Sequence, residues 1–247
     1  MKWCNAANPN GCALADRDIP ALAVSGSGQT LRIVVLASGN GSNLQALIDA
    51  IASTALRVRI VAVCSDKPDC MALDRARQAG IATWAQRPRD FANREAFDDA
   101  LFTHIDTLQP ALIVCAGYMR VISATAVQRY VGQMINLHPS LLPRHPGLHT
   151  HARALEAGDR EHGASVHLVT AELDAGQVIA QARVPVHGND SVDALSNRVR
   201  AREHPLLLGV VALFADHRLR TDGNAITLDG QPLDSPLQLD CHDQLQR

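Results

Sequence analysis

The chain has 247 residues, of which 47% are hydrophobic, and its formal net charge is -2. This length and composition fit one α/β domain with a full hydrophobic core. The near-neutral charge does not favour nucleic acid or a membrane surface as a partner. No stretch approaches the roughly 18 uncharged apolar residues of a membrane span, so none is predicted.

The cysteines indicate a reducing environment. None of the six forms a C-x-x-C pair, and Cys64 and Cys115 lie inside apolar runs. Such a pattern is typical of buried thiols rather than of a disulfide framework. The first residues, from Met1 to Asn5, lack the apolar segment of a signal peptide. We therefore expect a soluble protein of the cytoplasm.

Strand and helix patterns alternate through the first half of the chain. Residues 1–30 show no sustained hydrophobic period and are predicted to form a flexible extension. Apolar runs typical of buried strands follow at 31–37, 58–64, 81–84, 112–116 and 134–138. Helical spacing separates them, at 44–52, 71–79, 93–108 and 123–130. The alternation predicts an α/β, Rossmann-like fold: an open, mostly parallel sheet flanked by helices.

The C-terminal part is predicted to add antiparallel strands. Two alternating runs, 164–170 and 178–186, flank a turn. Helical patterns cover 149–157 and 190–213, and a Gly-containing hairpin pattern covers 221–233. Pro205 is expected to kink or break the long helix. The polar residues 234–247 are predicted to form a loose tail, which leaves 31–233 as the domain.

A Gly-rich loop, residues 38–43, joins the first predicted strand to the first predicted helix. It reads Ser38-Gly39-Asn40-Gly41-Ser42-Asn43. Backbone N–H groups and the positive end of a helix suit such a loop to a phosphate, and glycine lets the backbone approach the anion. A dinucleotide fingerprint fits poorly, because Leu44 stands at the third glycine position. A single phosphate is favoured over a purely structural turn.

A second candidate site lies at the end of the predicted strand 134–138. Asn136 and His138 are two residues apart, so both side chains leave the same face of a strand. Pro139 and Pro143 follow and end the strand. An amide beside an imidazole suits a reaction that develops charge on a carbonyl oxygen. A strand that ends in polar residues before a loop, without any catalytic function, would show the same pattern.

One carboxylate and several histidines bear on this candidate. Asp174 in the predicted turn is of a kind that usually caps backbone N–H groups. Beside His138 it would instead favour the charged imidazolium. Four other histidines cluster nearby in sequence: His145, His149, His151 and His162. Their spacing matches no familiar zinc site, so no metal is expected.

Several motifs, in this order, resemble the glycinamide ribonucleotide transformylases, or phosphoribosylglycinamide formyltransferases, of the folate-dependent formyltransferase family. The similarity is carried by SGNGSNLQ at 38–45, NLHPSLLP at 136–143 and LDAG at 173–176. Other folate formyl transferases and hydrolases share the second motif. PGLHTH at 146–151 and EHGASVH at 161–167 complete the set specific to the ribonucleotide enzymes. The resemblance covers about residues 31–233.

The resemblance implies an activity and a set of roles. The formyl group of 10-formyltetrahydrofolate would pass to the amine of glycinamide ribonucleotide in de novo purine biosynthesis, without a metal. The implied ribonucleotide residues are Gly41, Ser42 and Asn43 for the phosphate and Glu203 for the ribose. The implied folate residues are Arg94, Met119, Arg120, Val121, Ile122 and Asn136. The implied catalytic residues are Asn136, His138 and Asp174.

The chain departs from these relatives at Arg200, where they carry Gln near the phosphate. A cation there would bind the phosphate or pair with Glu203. A methionyl-tRNA formyltransferase would need a further C-terminal domain and a surface for nucleic acid. A deformylase would carry an N-terminal regulatory domain, which thirty residues cannot form. A non-catalytic binding module would be expected to lose one catalytic residue. We expect only small-molecule substrates, and a monomer or homodimer.

Overall fold

The computed structural model describes residues 30–247, so the predicted extension 1–30 lies outside the described residues except for Thr30. The strands are β1 Leu31–Leu36, β2 Val58–Ser65, β3 Thr83–Ala85, β4 Leu112–Cys115, β5 Met134–His138, β6 Glu161–Leu168, β7 Val178–Pro185, β8 Leu219–Asp222, β9 Ala225–Leu228, β10 Gln231–Pro232, β11 Leu237–Leu239 and β12 Leu245–Gln246. The helices are α1 Ser42–Ala52, α2 Met71–Gln78, α3 Arg94–Leu108, α4 Ala124–Gln128, α5 Thr150–Glu156 and α6 Val192–Ala215.

Nine strands form one sheet in the order β12-β11-β7-β6-β5-β4-β1-β2-β3. Strands β3, β2, β1, β4 and β5 are parallel, whereas β6 runs antiparallel to both β5 and β7. The mostly parallel α/β sheet with antiparallel strands in its C-terminal part is confirmed. Strands β8, β9 and β10 form a separate small antiparallel sheet.

The continuous apolar runs arise because the central strands are buried on both faces. Along β1, Ile33 and Val35 point into one core, while Val34 and Leu36 point into the other. Helices cover each face, with α3 supplying Phe97 to the second core. A parallel sheet covered on both sides brings the carboxyl ends of its strands to one edge, where ligands bind in such folds.

Helix starts follow the sequence closely, and one predicted helix break does not occur. Asn93, Ser123 and Ser191 each cap a helix, since their side chains accept the backbone N–H three residues later. Helix α6 is 24 residues long and continues through Pro205 without a break. The prolyl nitrogen cannot bond the carbonyl of Ala201, but Ala201 is exposed, where solvent can satisfy that carbonyl.

Residues 234–247 are not the loose tail that their polarity predicts. Strand β11 pairs in parallel with β7 and carries the buried side chains of Leu237 and Leu239. Strand β12 pairs with β11. Its Leu245 side chain packs against α6 at Gly209, which has no side chain. A Cβ atom at Gly209 would lie 3.0 Å from Leu245 Cδ1. Three apolar side chains at spaced positions therefore fix this segment, against the prediction.

Within residues 30–247, no helix has the length and apolar character needed to cross a bilayer. In the same residues, no group of three or more His, Cys, Asp or Glu side chains is arranged to hold a metal ion.

Candidate active site

The candidate active site is a cavity of about 560 Å³ at the carboxyl edge of the sheet. Asn136 and His138 enter it from the end of β5, and Asp174 enters from the turn between β6 and β7. The β4–α4 loop, residues 117–122, forms another wall with Met119, Arg120, Val121 and Ile122. The fold thus brings together the three predicted catalytic residues and the four loop residues predicted to face the folate.

The imidazole of His138 is buried between a carboxylate and a carbonyl. Its Nδ1 lies 3.4 Å from Asp174 Oδ2, and its Nε2 lies 3.1 Å from the carbonyl oxygen of His145. A carbonyl only accepts, so Nε2 carries a proton and donates it. In the charged ring both nitrogens carry protons, and both then face an acceptor. Each ring nitrogen of His138 therefore has one oxygen atom beside it.

Asp174 is held by the backbone of its turn and of a neighbouring loop. Its φ of 52° is left-handed, a conformation that Asp and Asn tolerate better than most residues. Its Oδ2 accepts the N–H of Gly147 at 2.8 Å. Gly176 keeps the turn against β6, because a Cβ atom there would lie 1.8 Å from the carbonyl oxygen of Leu168. Asp174 Oδ2 thus lies beside both the Gly147 N–H, at 2.8 Å, and His138 Nδ1, at 3.4 Å.

Asn136 is oriented by His167, which stands opposite it in the register of β5 and β6. His167 Nδ1 lies 2.8 Å from the carbonyl oxygen of Leu168 and must donate to it. Burial lowers the pKa of His167 below its usual value, although the Leu168 carbonyl and the charge of Asp174 oppose this. The neutral ring then has a free lone pair on Nε2, which accepts Asn136 Nδ2–H at 3.1 Å. One amide hydrogen of Asn136 remains available to a ligand.

The Gly-rich loop lies beside this cavity and is shaped by packing. Gly41 has a φ of 76°, and a Cβ atom there would lie 2.7 Å from Ala72 Cα. The Asn43 side chain donates to Glu203 Oε2 at 3.1 Å, which connects the start of α1 to α6. Gly41, Ser42, Asn43 and Glu203 therefore form one patch, as the ribonucleotide assignment requires, although they do not line the 560 Å³ cavity.

Arg200 lies one helical turn before Glu203 but does not pair with it. Among the described residues, its side chain makes no hydrogen bond, and no carboxylate lies within 4.0 Å of it. Burial lowers the pKa of His151 on α5, and the positive charge of Arg200 lowers it further. Arg200 thus places on α6 a positive charge that acts on His151 of α5 and has no carboxylate partner among residues 30–247.

The folate-side residues differ in how firmly they are held. Met119 and Val121 are exposed at 63% and 47%, and both offer apolar surface at the mouth of the cavity. The N–H of Met119 donates to Ser38 Oγ at 2.9 Å, and Ser38 donates to the buried Asp66. Arg94, at the start of α3, pairs with Glu95 at 3.3 Å and lies outside the cavity lining. The Gly-rich loop and the β4–α4 loop therefore meet at Ser38.

A larger, more open groove of about 770 Å³ adjoins the Gly-rich loop on its other side. Its walls come from residues 38–40, 66–71 and 87–89, and it contains none of the three predicted catalytic residues. Size therefore does not decide between the two cavities. The convergence of polar side chains favours the 560 Å³ cavity as the candidate site.

Sequence reasoning missed His167, Ser38 and Asp98, which all contact or support site residues. His167 lies in a motif used only for the family resemblance, and its alternation with the apolar Val166 and Leu168 was a usable signal. The antiparallel register that sets His167 opposite Asn136 is not encoded locally. Ser38 was noted only as the first residue of the Gly-rich loop, and Asp98, whose carboxylate accepts the Ser123 N–H, carried no sequence signal beyond being polar.

Comparisons with known proteins agree on one family. The sequence model of the family described as formyl transferase matches residues 31–211. The chain is 52% identical over 203 residues to phosphoribosylglycinamide formyltransferase of Escherichia coli K12, covering 82% of this chain and 96% of that protein. It is 39% identical over 193 residues to the human trifunctional purine biosynthetic protein adenosine-3, covering 78% of this chain and 19% of that protein.

Solved structures agree as well. The phosphoribosylglycinamide formyltransferase of Coxiella burnetii superposes with a TM-score of 0.79 at 48% identity, covering 83% of this chain and 96% of that one. Glycinamide ribonucleotide transformylase 1 of Symbiobacterium toebii superposes with a TM-score of 0.78 at 38% identity, covering 82% of this chain and 99% of that one.

Proposed function

The chain belongs to the formyl transferase family, and from this premise we infer that it transfers the formyl group of 10-formyltetrahydrofolate to the amine of glycinamide ribonucleotide. This is a step of purine biosynthesis. One observation carries the assignment to the cavity: Asn136, His138 and Asp174 converge there, at the carboxyl edge of the sheet. The motifs and the family match support the same reaction.

The proposed chemistry is direct attack of the amine on the formyl carbon. A bond forms between the amine nitrogen and the formyl carbon, and the carbonyl oxygen gains negative charge. The free N–H of Asn136 and a protonated His138 are the donors for this oxygen. A well-placed donor of this kind stabilises a transition state by roughly 3–4 kcal/mol. Collapse then breaks the bond between that carbon and N10 of the folate, and a proton passes from the amine to N10.

His138 must exchange one partner to reach the substrate. Its Nε2 donates to the carbonyl of His145, whose φ of 54° places it in a tight loop. Substrate oxygen would replace that carbonyl, while Asp174 remains at Nδ1. Catalytic hydrogen bonds are often loose without ligands and tighten in the complex. This accounts for the 3.4 Å separation of His138 and Asp174.

Ribonucleotide binding is assigned to the Gly-rich loop and α6. The backbone at Gly41, Ser42 and Asn43 would bind the phosphate at the N-terminus of α1, and Glu203 would bind the ribose. Arg200, unpaired among residues 30–247, would add a charge-assisted contact to the phosphate. Arg94, Met119, Arg120, Val121, Ile122 and Asn136 are assigned to 10-formyltetrahydrofolate.

The test is an absorbance assay of the folate product with three acceptors: glycinamide ribonucleotide, charged initiator tRNA and water. We expect turnover with the ribonucleotide only. His138→Ala supplies the matched inactive protein, so that contaminating activity is subtracted. Turnover with tRNA but not with the ribonucleotide would replace this function by the methionyl-tRNA alternative.

The cysteines bear on the cellular compartment of the protein. Cys64, Cys70 and Cys115 are free and buried, as expected for a reducing compartment. We place the enzyme in the cytoplasm, acting as a monomer or homodimer.

A further inference from the structure

The β4–α4 loop is fixed at both ends by buried groups, and one of them is the buried carboxylate Asp98 on α3. Asp98 is 0% exposed, and its Oδ2 accepts the N–H of Ser123 at 2.6 Å. Ser123 directly follows the loop and caps α4. A fully buried carboxylate is costly unless charged or polar groups compensate it. The role of Asp98 can therefore be inferred from the groups that offset the cost of burying its charge.

Three polar atoms around the loop have no hydrogen-bond partner among the described residues. They are Asp98 Oδ1, Tyr118 OH and Arg120 Nε. Arg120 lies over the ring of Phe97, with its Cζ 4.7 Å from the ring centroid, and Phe97 precedes Asp98 on α3. These buried atoms, one acceptor and two donors, belong to α3 and to the β4–α4 loop.

Two arginines act on the Asp98 carboxyl, Arg120 from the loop and Arg94 from α3. Burial raises the pKa of the Asp98 carboxyl, while the Ser123 contacts and the charges of Arg120 and Arg94 oppose that rise. These two arginines are the cations assigned to the folate. Burial also raises the pKa of Tyr118, and the charges of Asp66 and Asp98 add to the rise, so Tyr118 stays a neutral donor.

We propose that Asp98 is a positioning residue for the folate co-substrate: as a carboxylate it anchors the β4–α4 loop, which carries Arg120, through the Ser123 amide. The inference rests on the proposed function, because it assumes that this loop receives 10-formyltetrahydrofolate. Asp98 does not line the cavity and contacts no reacting atom. It acts only through the loop.

Asp98→Asn tests the charge, because the amide oxygen can still accept from Ser123. We expect the KM for 10-formyltetrahydrofolate to rise about tenfold, the size of one hydrogen bond to a charged group. The kcat should stay within about threefold, and the KM for the ribonucleotide should not change. Asp106→Asn is the matched control: Asp106 is on the same helix and accepts from Tyr130 OH, away from the loop.

Two results would overturn the proposal. One is an unchanged folate KM in a folded Asp98→Asn protein. The other is an equal loss in both KM values, which indicates a general structural defect. If Asp98→Asn fails to fold, Asp98→Glu decides, because it keeps the charge but shifts the carboxylate relative to the Ser123 amide. A rise in the folate KM alone supports the anchor, and two unchanged KM values contradict it.

Failure of the proposed function would look different. It would appear as absent turnover in the wild type with every acceptor. Calorimetric binding of a 10-formyl-5,8-dideazafolate, which needs no turnover, then measures the effect of Asp98→Asn on its own. A weakened affinity relative to Asp106→Asn supports the role of Asp98, and an equal affinity rejects it.

Discussion

The two loops that form the site are specified in different ways. The Gly-rich loop is specified by its own backbone: Gly41 is left-handed, and α1 begins directly after it. The end of β5 is specified by distant side chains, since His138 depends on Asp174, and Asn136 depends on His167. The comparison shows that a short motif suffices to predict a Gly-rich turn, whereas the arrangement around Asn136 and His138 depends on the tertiary fold.

The largest expected effect comes from removing the charge beside His138. Asp174→Asn keeps the shape and the tolerance for left-handed φ, but it removes the negative charge 3.4 Å from His138 Nδ1. We expect kcat at neutral pH to fall about 100-fold or more, with little change in the KM for the ribonucleotide. Asp229→Asn is the control, because Asp229 has a φ of 51° and lies in the distal hairpin. A near-silent Asp174→Asn would leave only the capping role.

The backbone-specified loop is tested by two glycines that are two residues apart. Gly41→Ala should lower the free energy of unfolding by about 2 kcal/mol, because of the left-handed φ and the contact with Ala72. It should also raise the KM for the ribonucleotide. Gly39→Ala should be close to neutral in stability, since no atom lies within 4 Å of its Cβ position. Equal losses in urea unfolding would contradict this difference.

A smaller effect is expected where one distant side chain orients another. His167→Phe keeps a ring but removes the acceptor that orients Asn136. We expect kcat to fall about tenfold, the size of one hydrogen bond in a polar network. His104→Phe is the control, because His104 stacks on Trp84 on another part of the fold. Equal kcat values for the two variants would show that His167 does not orient the amide.

The smallest effect concerns stability at acid pH. Burial, followed by the charges of His151 and His145, lowers the pKa of His162 from 6.5 to about 4. The unfolded chain therefore binds the proton first, and stability is lost as pH falls from 6.5 through 4. In urea unfolding at several pH values, His162→Gln should reduce this loss in the free energy of unfolding by about 1 kcal/mol. His187→Gln is the control, because His187 is exposed. It should leave the pH dependence of the free energy of unfolding as in the wild type.

Much of the fold was legible in the sequence because it depends on local periodicity. The apolar runs predicted the parallel strands, and the motifs predicted the family, which is confirmed. Asn136 and His138 were identified by their alternation alone. Their catalytic roles, and those assigned to the binding residues, stay predictions.

The parts that sequence did not reveal depend on distant partners. His167 matters because of an antiparallel register, and Asp98 looks like any polar residue on a helix until the β4–α4 loop covers it. The C-terminal residues looked loose because three leucines among polar residues form no period, yet β7 and Gly209 provide their binding surface. Pro205 looked like a helix break because the exposure of Ala201 cannot be read from the sequence.

The outermost strands of the nine-stranded sheet are also short: β3 has three residues and β12 has two. Few backbone N–H and C=O groups are therefore left unpaired at the edges of the sheet. Pairing of such groups with another sheet is a recognised route to aggregation. Strand β7 is eight residues long, and β11 pairs with it at Ala180 and Gln181. Loss of residues 237–246 would leave the backbone groups of β7 that face β11 unpaired, so the C-terminal segment covers an edge at which another chain could pair.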